Sequence, residues 1–260
     1  MHPSLRVVQI TDTHLFGDPH QTLLGCRTGA TLKTVLAQVR IDQPDVILLT
    51  GDLSQDETPA SYKYLVDLLR PLTCPIYWTG GNHDHWESLT QVLTAAQLRP
   101  EKQFIQGGWQ FILLNSAVPG AVGGALSPTE LAYLEQCLRR CALPTLVALH
   151  HPLFPVGSPW LDDSRLANPE ALWRILDAHP QVKVVLCGHV HQERQWERRG
   201  VTYCSTPSTC VQFAPQAQEF RLDTAFPGFR WLELFPEGTF RSGVVRVPCP
   251  VAIDLQATGY

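Results

Sequence analysis

DVILLTGD, residues 45–52, joins an unbroken apolar run to a glycine and an aspartate. A continuous run of β-branched residues and leucine is typical of a strand buried on both faces, as in a parallel sheet covered by helices. Gly51 lets the backbone turn sharply where such a strand ends, and Asp52 then stands at the carboxyl end of the sheet. Ligands of α/β folds gather at that edge, so the stretch predicts an α/β fold with a polar site.

Strand and helix patterns alternate on both sides of this run. Strands are predicted at residues 6–10, 45–50, 75–78, 145–149 and 182–186, with a hairpin over 104–114 that turns at Gly107-Gly108. Helices are predicted at 31–41, from Thr58-Pro59, from about Glu87, over 127–140 after a capping box, and from Asn168-Pro169. From Glu193 onward the pattern changes to antiparallel hairpins. We therefore expect a layered α/β domain over residues 1–260 with a C-terminal antiparallel part.

Charge and composition narrow the class of protein. A formal net charge of −4 over 260 residues argues against a nucleic-acid partner, because no basic excess is available to neutralise a phosphate backbone. The first residues lack the pattern of a signal peptide, and no apolar run approaches the roughly 20 residues that span a bilayer. The eight cysteines show no CxxC spacing, which favours free thiols. We expect a cytoplasmic protein with no membrane partner.

Five segments share one arrangement, in which metal-capable side chains follow a predicted strand at once. They are Asp12-Thr13-His14, Gly51-Asp52, Gly81-Asn82-His83-Asp84, His150-His151 and Gly188-His189-Val190-His191. Residues two apart at a strand end point to the same side of the sheet, because side chains alternate along a strand. Carboxylates can bridge two cations, and imidazole and amide oxygen suit manganese, iron or zinc. The segments together predict a metal site.

In this order the segments resemble the signature of the calcineurin-like metallophosphoesterases, DxH, GD, GNH(D/E), H and GHxH. The resemblance implies a sandwich of two β-sheets flanked by helices, holding two divalent metal ions of iron, manganese or zinc. One ion would be bound by Asp12, His14 and His191, and the other by Asn82, His150 and His189, with Asp52 bridging them.

The same resemblance distinguishes several neighbouring residues. His83 matches the family's histidine that faces the phosphate without binding metal, so it is the candidate catalytic residue. His150 is preferred to His151 as a ligand, because the family's motif reads His-x-Pro with its first histidine binding metal. Asp84 either orients His83 or ends the loop, and His85 is expected at the pocket rim or in solvent. Surface positions are expected for His2, His20 and His179.

Longer stretches are similar to the class III cyclic nucleotide phosphodiesterases, bacterial enzymes that act on 3′,5′-cyclic AMP. They are QITDTHLF, TGDLSQD, LHHPL, LCGHVHQE and TPSTCVQF. This resemblance implies that a metal-bridging hydroxide hydrolyses a small cyclic nucleotide to 5′-AMP and so lowers cellular cyclic AMP. The substrate would contact His14, Asn82, His83 and His191. Gln55 stands where purple acid phosphatases carry a tyrosine ligand, which argues against that subgroup.

Two questions stay open from the sequence. Residues 205–213, which include TPSTCVQF, either line the wall that receives the nucleoside or pack beneath the site. The substrate class also has alternatives, namely glycerophosphodiesters and 2′,3′-cyclic nucleotides, since the same ligands would serve all of them. A different class of protein, an inactive protein-binding scaffold on the same fold, is disfavoured because no ligand position has been lost.

Overall fold

Two mixed β-sheets lie face to face in the structure, a computed structural model that describes residues 4–249 and 252–259. His2 lies outside these residues. The first sheet has the order β13-β12-β1-β2-β3 and the second β4-β5-β6-β7-β9-β8. The strands of the first sheet are β1 (Leu5–Ile10), β2 (Val46–Thr50), β3 (Ile76–Thr79), β12 (Gly228–Leu234) and β13 (Phe240–Arg246). Those of the second are β4 (Gln103–Gln106), β5 (Trp109–Leu113), β6 (Thr145–Ala148), β7 (Val182–Cys187), β8 (Arg194–Arg198) and β9 (Val201–Ser205).

Helices cover the outer face of each sheet, and a short ribbon completes the fold. The helices are α1 (Thr28–Asp42), α2 (Pro59–Leu69), α3 (Trp86–Ala95), α4 (Pro128–Arg140), α5 (Pro159–Asp162) and α6 (Pro169–Asp177). A two-stranded ribbon joins β10 (Gln212–Phe213) to β11 (Leu222–Asp223). This arrangement confirms the predicted α/β sandwich with antiparallel C-terminal strands. Among the described residues, no helix has the length and apolar character needed to cross a membrane.

The core is divided by the sheets into an inner layer and two outer layers. Val7, Leu48 and Leu186 belong to the layer between the two sheets. Leu49 packs with the helices outside the first sheet. Strand β2, formed by the DVILLT run, thus buries side chains on both faces, which explains why its sequence shows no polar alternation.

Helices α2 and α4 begin at the predicted side-chain caps, and α6 begins at the predicted Asn168-Pro169 without one. Thr58 accepts a hydrogen bond from the Ser61 amide, and Ser127 accepts one from the Glu130 amide. The Glu130 carboxylate binds the Asn115 amide, so the predicted capping box is formed on one side only. Helix α1 begins at Thr28, three residues before the apolar spacing indicates, and α5 was not predicted.

The parallel strands of both sheets determine where the candidate site lies. β1, β2 and β3 run parallel in one sheet, and β5, β6 and β7 run parallel in the other. Their carboxyl ends share one edge of the sandwich, so the loops after five separate strands meet there.

Candidate metal centre

The side chains predicted to bind metal converge at this edge from both sheets. Asp12 and His14 follow β1, Asp52 follows β2, and Asn82 follows β3. From the second sheet, His150 follows β6, and His189 and His191 follow β7. The carboxylates and imidazoles among them are at most 5 % exposed, so the cluster is shielded from bulk water.

One half of the cluster consists of Asp12, His14 and His191. His191 Nε2 lies 3.4 Å from Asp12 Oδ1, and His14 Nε2 lies 3.1 Å from His191 Nε2. A carboxylate and two imidazoles whose ligand atoms lie within 4.8 Å of one another can hold a metal ion.

The other half contains His150 and Asn82, with Asp52 between the halves. The Asp52 Oδ2 atom lies 3.1 Å from His150 Nε2 and 3.8 Å from His14 Nε2. The Asn82 Oδ1 and His150 Nε2 atoms are buried without a hydrogen bond. Such atoms cost about 1–3 kcal/mol each when unsatisfied, so a cation beside them would supply the missing interaction. The residues therefore fit divalent metal ions.

Protein acceptors fix the tautomers of three of these histidines. The Nδ1–H of His14 donates to Gln55 Oε1 over 2.7 Å. The Nδ1–H of His150 donates to the Thr50 carbonyl, and that of His191 to the Val211 carbonyl, each over 2.8 Å. In each ring Nε2 then carries the lone pair and faces the cluster, as metal-binding histidines require. Gln55 is thus a positioning residue that replaces the tyrosine ligand of the purple acid phosphatases.

His189 is oriented through its other nitrogen. The Ser164 hydroxyl donates to the Leu161 carbonyl over 2.9 Å, so its oxygen accepts from His189 Nε2–H, also over 2.9 Å. Nδ1 of His189 consequently carries the lone pair. Sequence reasoning did not assign this role to Ser164, because no spacing rule connects it to His189.

The backbone carries strain at most of these positions. The residues of the cluster with positive φ are Asp12 (54°), His14 (44°), Asp52 (51°), His189 (69°) and His191 (49°). Side chains other than glycine rarely adopt this left-handed region, and such strain concentrates at functional sites. At Gly51, with φ of 94°, a Cβ would lie 2.6 Å from His150 Nδ1, so the turn requires glycine.

His151 lies against the cluster, with a ring nitrogen within 4.8 Å of ligand atoms of His150 and His189, but both of its nitrogens are bonded elsewhere. Its Nε2–H donates to the Val122 carbonyl over 3.1 Å, and its Nδ1 accepts from the Ser116 hydroxyl over 2.8 Å. Both nitrogens are therefore occupied by protein groups. These contacts favour His150 as the ligand of the pair.

The protonation states suit cation binding. Burial lowers the pKa of His14 to about 3, so its imidazole is neutral. Burial alone would raise the pKa of the Asp52 carboxyl, but charge on His150 and His83 outweighs it, and the pKa falls well below its usual value. Burial opposes a charge on His150, but the charge of Asp52 outweighs it and raises the pKa of His150 to about 9. A cation bound at His150 Nε2 would therefore displace a proton and leave a neutral ring. An ionised carboxylate thus stands beside the neutral imidazole of His14.

The loop after β3 contains His83, Asp84 and His85. His83 is half-buried, its amide donates to Asp52 Oδ1 over 2.9 Å, and its ring meets that of His14 edge-on at 5.1 Å. Asp84 accepts from the amides of Leu53, Ser54 and Gly81. It therefore joins the loops after β2 and β3. This role differs from both expected ones, orienting His83 and ending the loop. His85, exposed as expected, caps α3 by accepting from the Ser88 amide.

Residues 205–213 form the floor of the site. Ser208 donates its hydroxyl to the Asp12 carbonyl, and the Phe213 ring stacks on His191 with centroids 4.2 Å apart. Every residue in this segment is buried. Of the two alternatives left open by the sequence, these contacts favour packing beneath the site. Of the other histidines expected at the surface, His20 is exposed and His179 is half-buried.

The model of one protein family matches residues 5–193, which contain every residue of the cluster. Its description is calcineurin-like phosphoesterase. The chain belongs to the calcineurin-like phosphoesterases.

Calcineurin-like phosphoesterases with curated names resemble the chain over nearly its whole length. The 3′,5′-cyclic-nucleotide phosphodiesterase of Nostoc sp. is 41% identical, covering 98% of this chain and 97% of the relative. The 3′,5′-cyclic adenosine monophosphate phosphodiesterases CpdA of Vibrio vulnificus and Escherichia coli K12 are 40% and 41% identical. They cover 99% and 94% of this chain, and the matches span 96% and 90% of those relatives.

Solved structures show the same fold at low sequence identity. A dimetal phosphatase from Danio rerio has a TM-score of 0.64 and 14% identity, covering 95% of this chain and 100% of its own. A purple acid phosphatase from yellow lupin has a TM-score of 0.71 and 16% identity, covering 95% of this chain and 52% of its own. These likenesses establish the sandwich architecture of a phosphoesterase.

Proposed function

We propose that this chain hydrolyses 3′,5′-cyclic AMP to 5′-AMP at a centre of two divalent metal ions. The observation that carries the proposal is identity of about 40% with 3′,5′-cyclic nucleotide phosphodiesterases over at least 94% of the chain. Similarity of this extent covers the loops around the site as well as the ligand positions.

Two ions, each iron, manganese or zinc, fit the donors of the cluster. Asp12, His14 and His191 would hold one ion. Asn82, His150 and His189 would hold the other, with Asp52 in contact with both. Ions bound there would lower the pKa of a water nucleophile and neutralise charge on the phosphate oxygens.

Residues beside the ligands would contact the substrate and its leaving group. His83 is close enough to His14 and Asp52 to face a phosphate held between the two halves. Its imidazolium would give a proton to the departing 3′ oxygen, or stabilise the charge that builds there. Together with His14, Asn82 and His191 it would contact the substrate. The buried walls exclude bulk water, which strengthens each of these interactions.

Steady-state kinetics on a panel of diesters test the proposal. The panel contains 3′,5′-cyclic AMP, 2′,3′-cyclic AMP and glycerophosphodiesters, with the product of the first identified by chromatography. We expect 5′-AMP, because the nucleophile must lie opposite the 3′ oxygen. Cyclic GMP should be a poorer substrate by about 1–3 kcal/mol in transition-state binding, the order of a few pocket contacts.

The rival functions give distinct outcomes in the same assay. If kcat/KM for 2′,3′-cyclic AMP or a glycerophosphodiester were tenfold higher than for 3′,5′-cyclic AMP, the named substrate would be wrong. If the protein loaded with manganese hydrolysed no diester of the panel, the result would support a non-catalytic scaffold.

A further inference from the structure

Residues 205–213 are buried, whereas a loop with an exposed tip lies beside the metal centre. We define the rim loop as residues 116–125, between β5 and α4. The loop closes on itself through a hydrogen bond of 2.9 Å from the Ala125 amide to the Ser116 carbonyl. Its tip is exposed, and the Val122 side chain is 61% exposed.

His151 fills the inside of the rim loop. It is bonded to Ser116 at one end of the loop and to Val122 at the tip, as described above. Gly124 packs directly on the imidazole, where a Cβ would overlap the ring and lie 2.8 Å from the Ser116 carbonyl. The shape of the loop therefore depends on this one buried histidine.

The same imidazole touches the metal centre. Its ring centroid lies 4.9 Å from that of His150 and 4.8 Å from that of His189. The tip of the rim loop is thus separated from two candidate ligands by a single ring. A second anchor joins the loop to residues near Ser164, through a hydrogen bond of 2.7 Å from the Ala167 amide to the Gly124 carbonyl.

A nucleoside next to the metal centre needs an apolar surface, because its base and ribose carry no charge to be met by the ions. The exposed Trp86 indole is turned elsewhere, packing near Trp78 and the Lys102 ammonium. Val122 presents an isopropyl group to solvent on a loop that is held in place at both ends. Ligand pockets combine apolar lining with a few polar groups, and Val122 would supply an apolar contact beside the metal centre.

We propose that the rim loop is the nucleoside wall of the substrate site, with Val122 contacting the ribose or base and His151 positioning the loop against the metal centre. The proposal rests on the proposed function, since it assumes a nucleoside substrate. It assigns specificity to the rim loop and leaves phosphate binding to the metal ligands.

Val122→Ser tests the contact by comparing 3′,5′-cyclic AMP with methyl p-nitrophenyl phosphate, a diester without a nucleoside. We expect KM for cyclic AMP to rise about three- to tenfold, as expected for a lost apolar contact, with hydrolysis of the methyl diester unchanged. Ile105→Ser is the matched control, because Ile105 is 56% exposed on β4 at the opposite end of the sheets. This control should change neither substrate.

His151→Phe tests the positioning role, because phenylalanine keeps an aromatic ring but loses both hydrogen bonds to the loop. KM for cyclic AMP should rise at least as much as in Val122→Ser, and adding Val122→Ser to His151→Phe should have little further effect. Unchanged cyclic AMP kinetics in Val122→Ser, or equal losses on both diesters, would overturn the nucleoside contact while leaving the proposed function intact. Wild-type protein inactive on cyclic AMP but active on the methyl diester would overturn both.

Discussion

Asp52 lies between the two halves of the candidate metal centre. Its Oδ2 atom lies 3.1 Å from His150 Nε2 and 3.8 Å from His14 Nε2. Asp52→Asn should therefore reduce occupancy of both ions, because an amide is a weaker bridging ligand than a carboxylate. His14→Ala should chiefly weaken one ion. Elemental analysis after purification with manganese measures both, and Asp18→Asn, at an exposed site, is the control. One metal per chain in the wild type, with Asp52→Asn unaffected, would contradict the two-ion centre.

His83 should act on the reaction more than on the metals. His83→Ala should leave metal content nearly unchanged and lower kcat by about 10²–10⁴, the usual scale for a general acid or base. The loss should be smaller for diesters that release p-nitrophenolate, since that leaving group needs little protonation. Equal losses for good and poor leaving groups would indicate charge stabilisation, and loss of metal would mean that His83 is itself a ligand.

The residues of the centre were predictable because each follows a strand within a short motif. Asp12 and His14 follow the end of β1, and His189 and His191 follow the end of β7, so the motifs place each pair at one strand end. Strand periodicity does not extend to them, because all four have left-handed φ. Ser164 and Gln55 were not assigned their roles, because their hydrogen bonds join residues 25 and 41 positions apart. No local sequence pattern predicts a hydrogen bond between residues so far apart in the chain.

At the scale of elements, Asp84 holds two ligand-bearing loops together. Its carboxylate accepts from the amides of Leu53 and Ser54 after β2 and from that of Gly81 after β3. Asp84→Ala should lower the free energy of unfolding by about 3 kcal/mol or more, since several buried donors lose their acceptor. Urea unfolding of the metal-free protein measures this change.

The control for this variant is Asp67→Ala on α2. The Asp67 carboxylate pairs with Arg70 on the surface, where both side chains are more than half exposed, and surface pairs contribute little. A stability loss in Asp84→Ala no greater than in Asp67→Ala would show that the two loops hold their positions without this carboxylate.

Element boundaries were predictable where a cap or a long apolar run marks them. The DVILLT run became β2 almost residue for residue, because burial on both faces leaves one interpretation. Helix α1 begins early, since Arg27 provides no side-chain cap that would mark Thr28 as its start. Helix α5 has only four residues, too few to show a periodicity.

At the scale of the whole molecule, the guanidinium of Arg230 connects the two sheets. This residue of β12 is 3% exposed. It donates to the carbonyl of Ser205, the last residue of β9, and to the hydroxyl of Thr206. Arg230→Met keeps much of the volume but leaves these acceptors unpaired, so we expect a loss of about 2 kcal/mol in the free energy of unfolding. Denaturant midpoints measure it, with the 74%-exposed Arg241 changed to Met as control. An unchanged or higher midpoint would mean that apolar packing serves equally well at this position.

The pairing of β1 with β12 bears on how the chain is made. Leu5 lies opposite Leu234 in that pair, so β1 gains this neighbour only after some 230 further residues have been translated. Asp12 and His14 likewise meet His191 only when most of the chain exists. Contacts between such distant residues slow folding. When Asp12, His14 and Asp52 have been translated, the candidate ligands His150, His189 and His191 have not. Metal ions that need ligands from both sheets would therefore bind only after β7 has been translated and the two sheets have packed together.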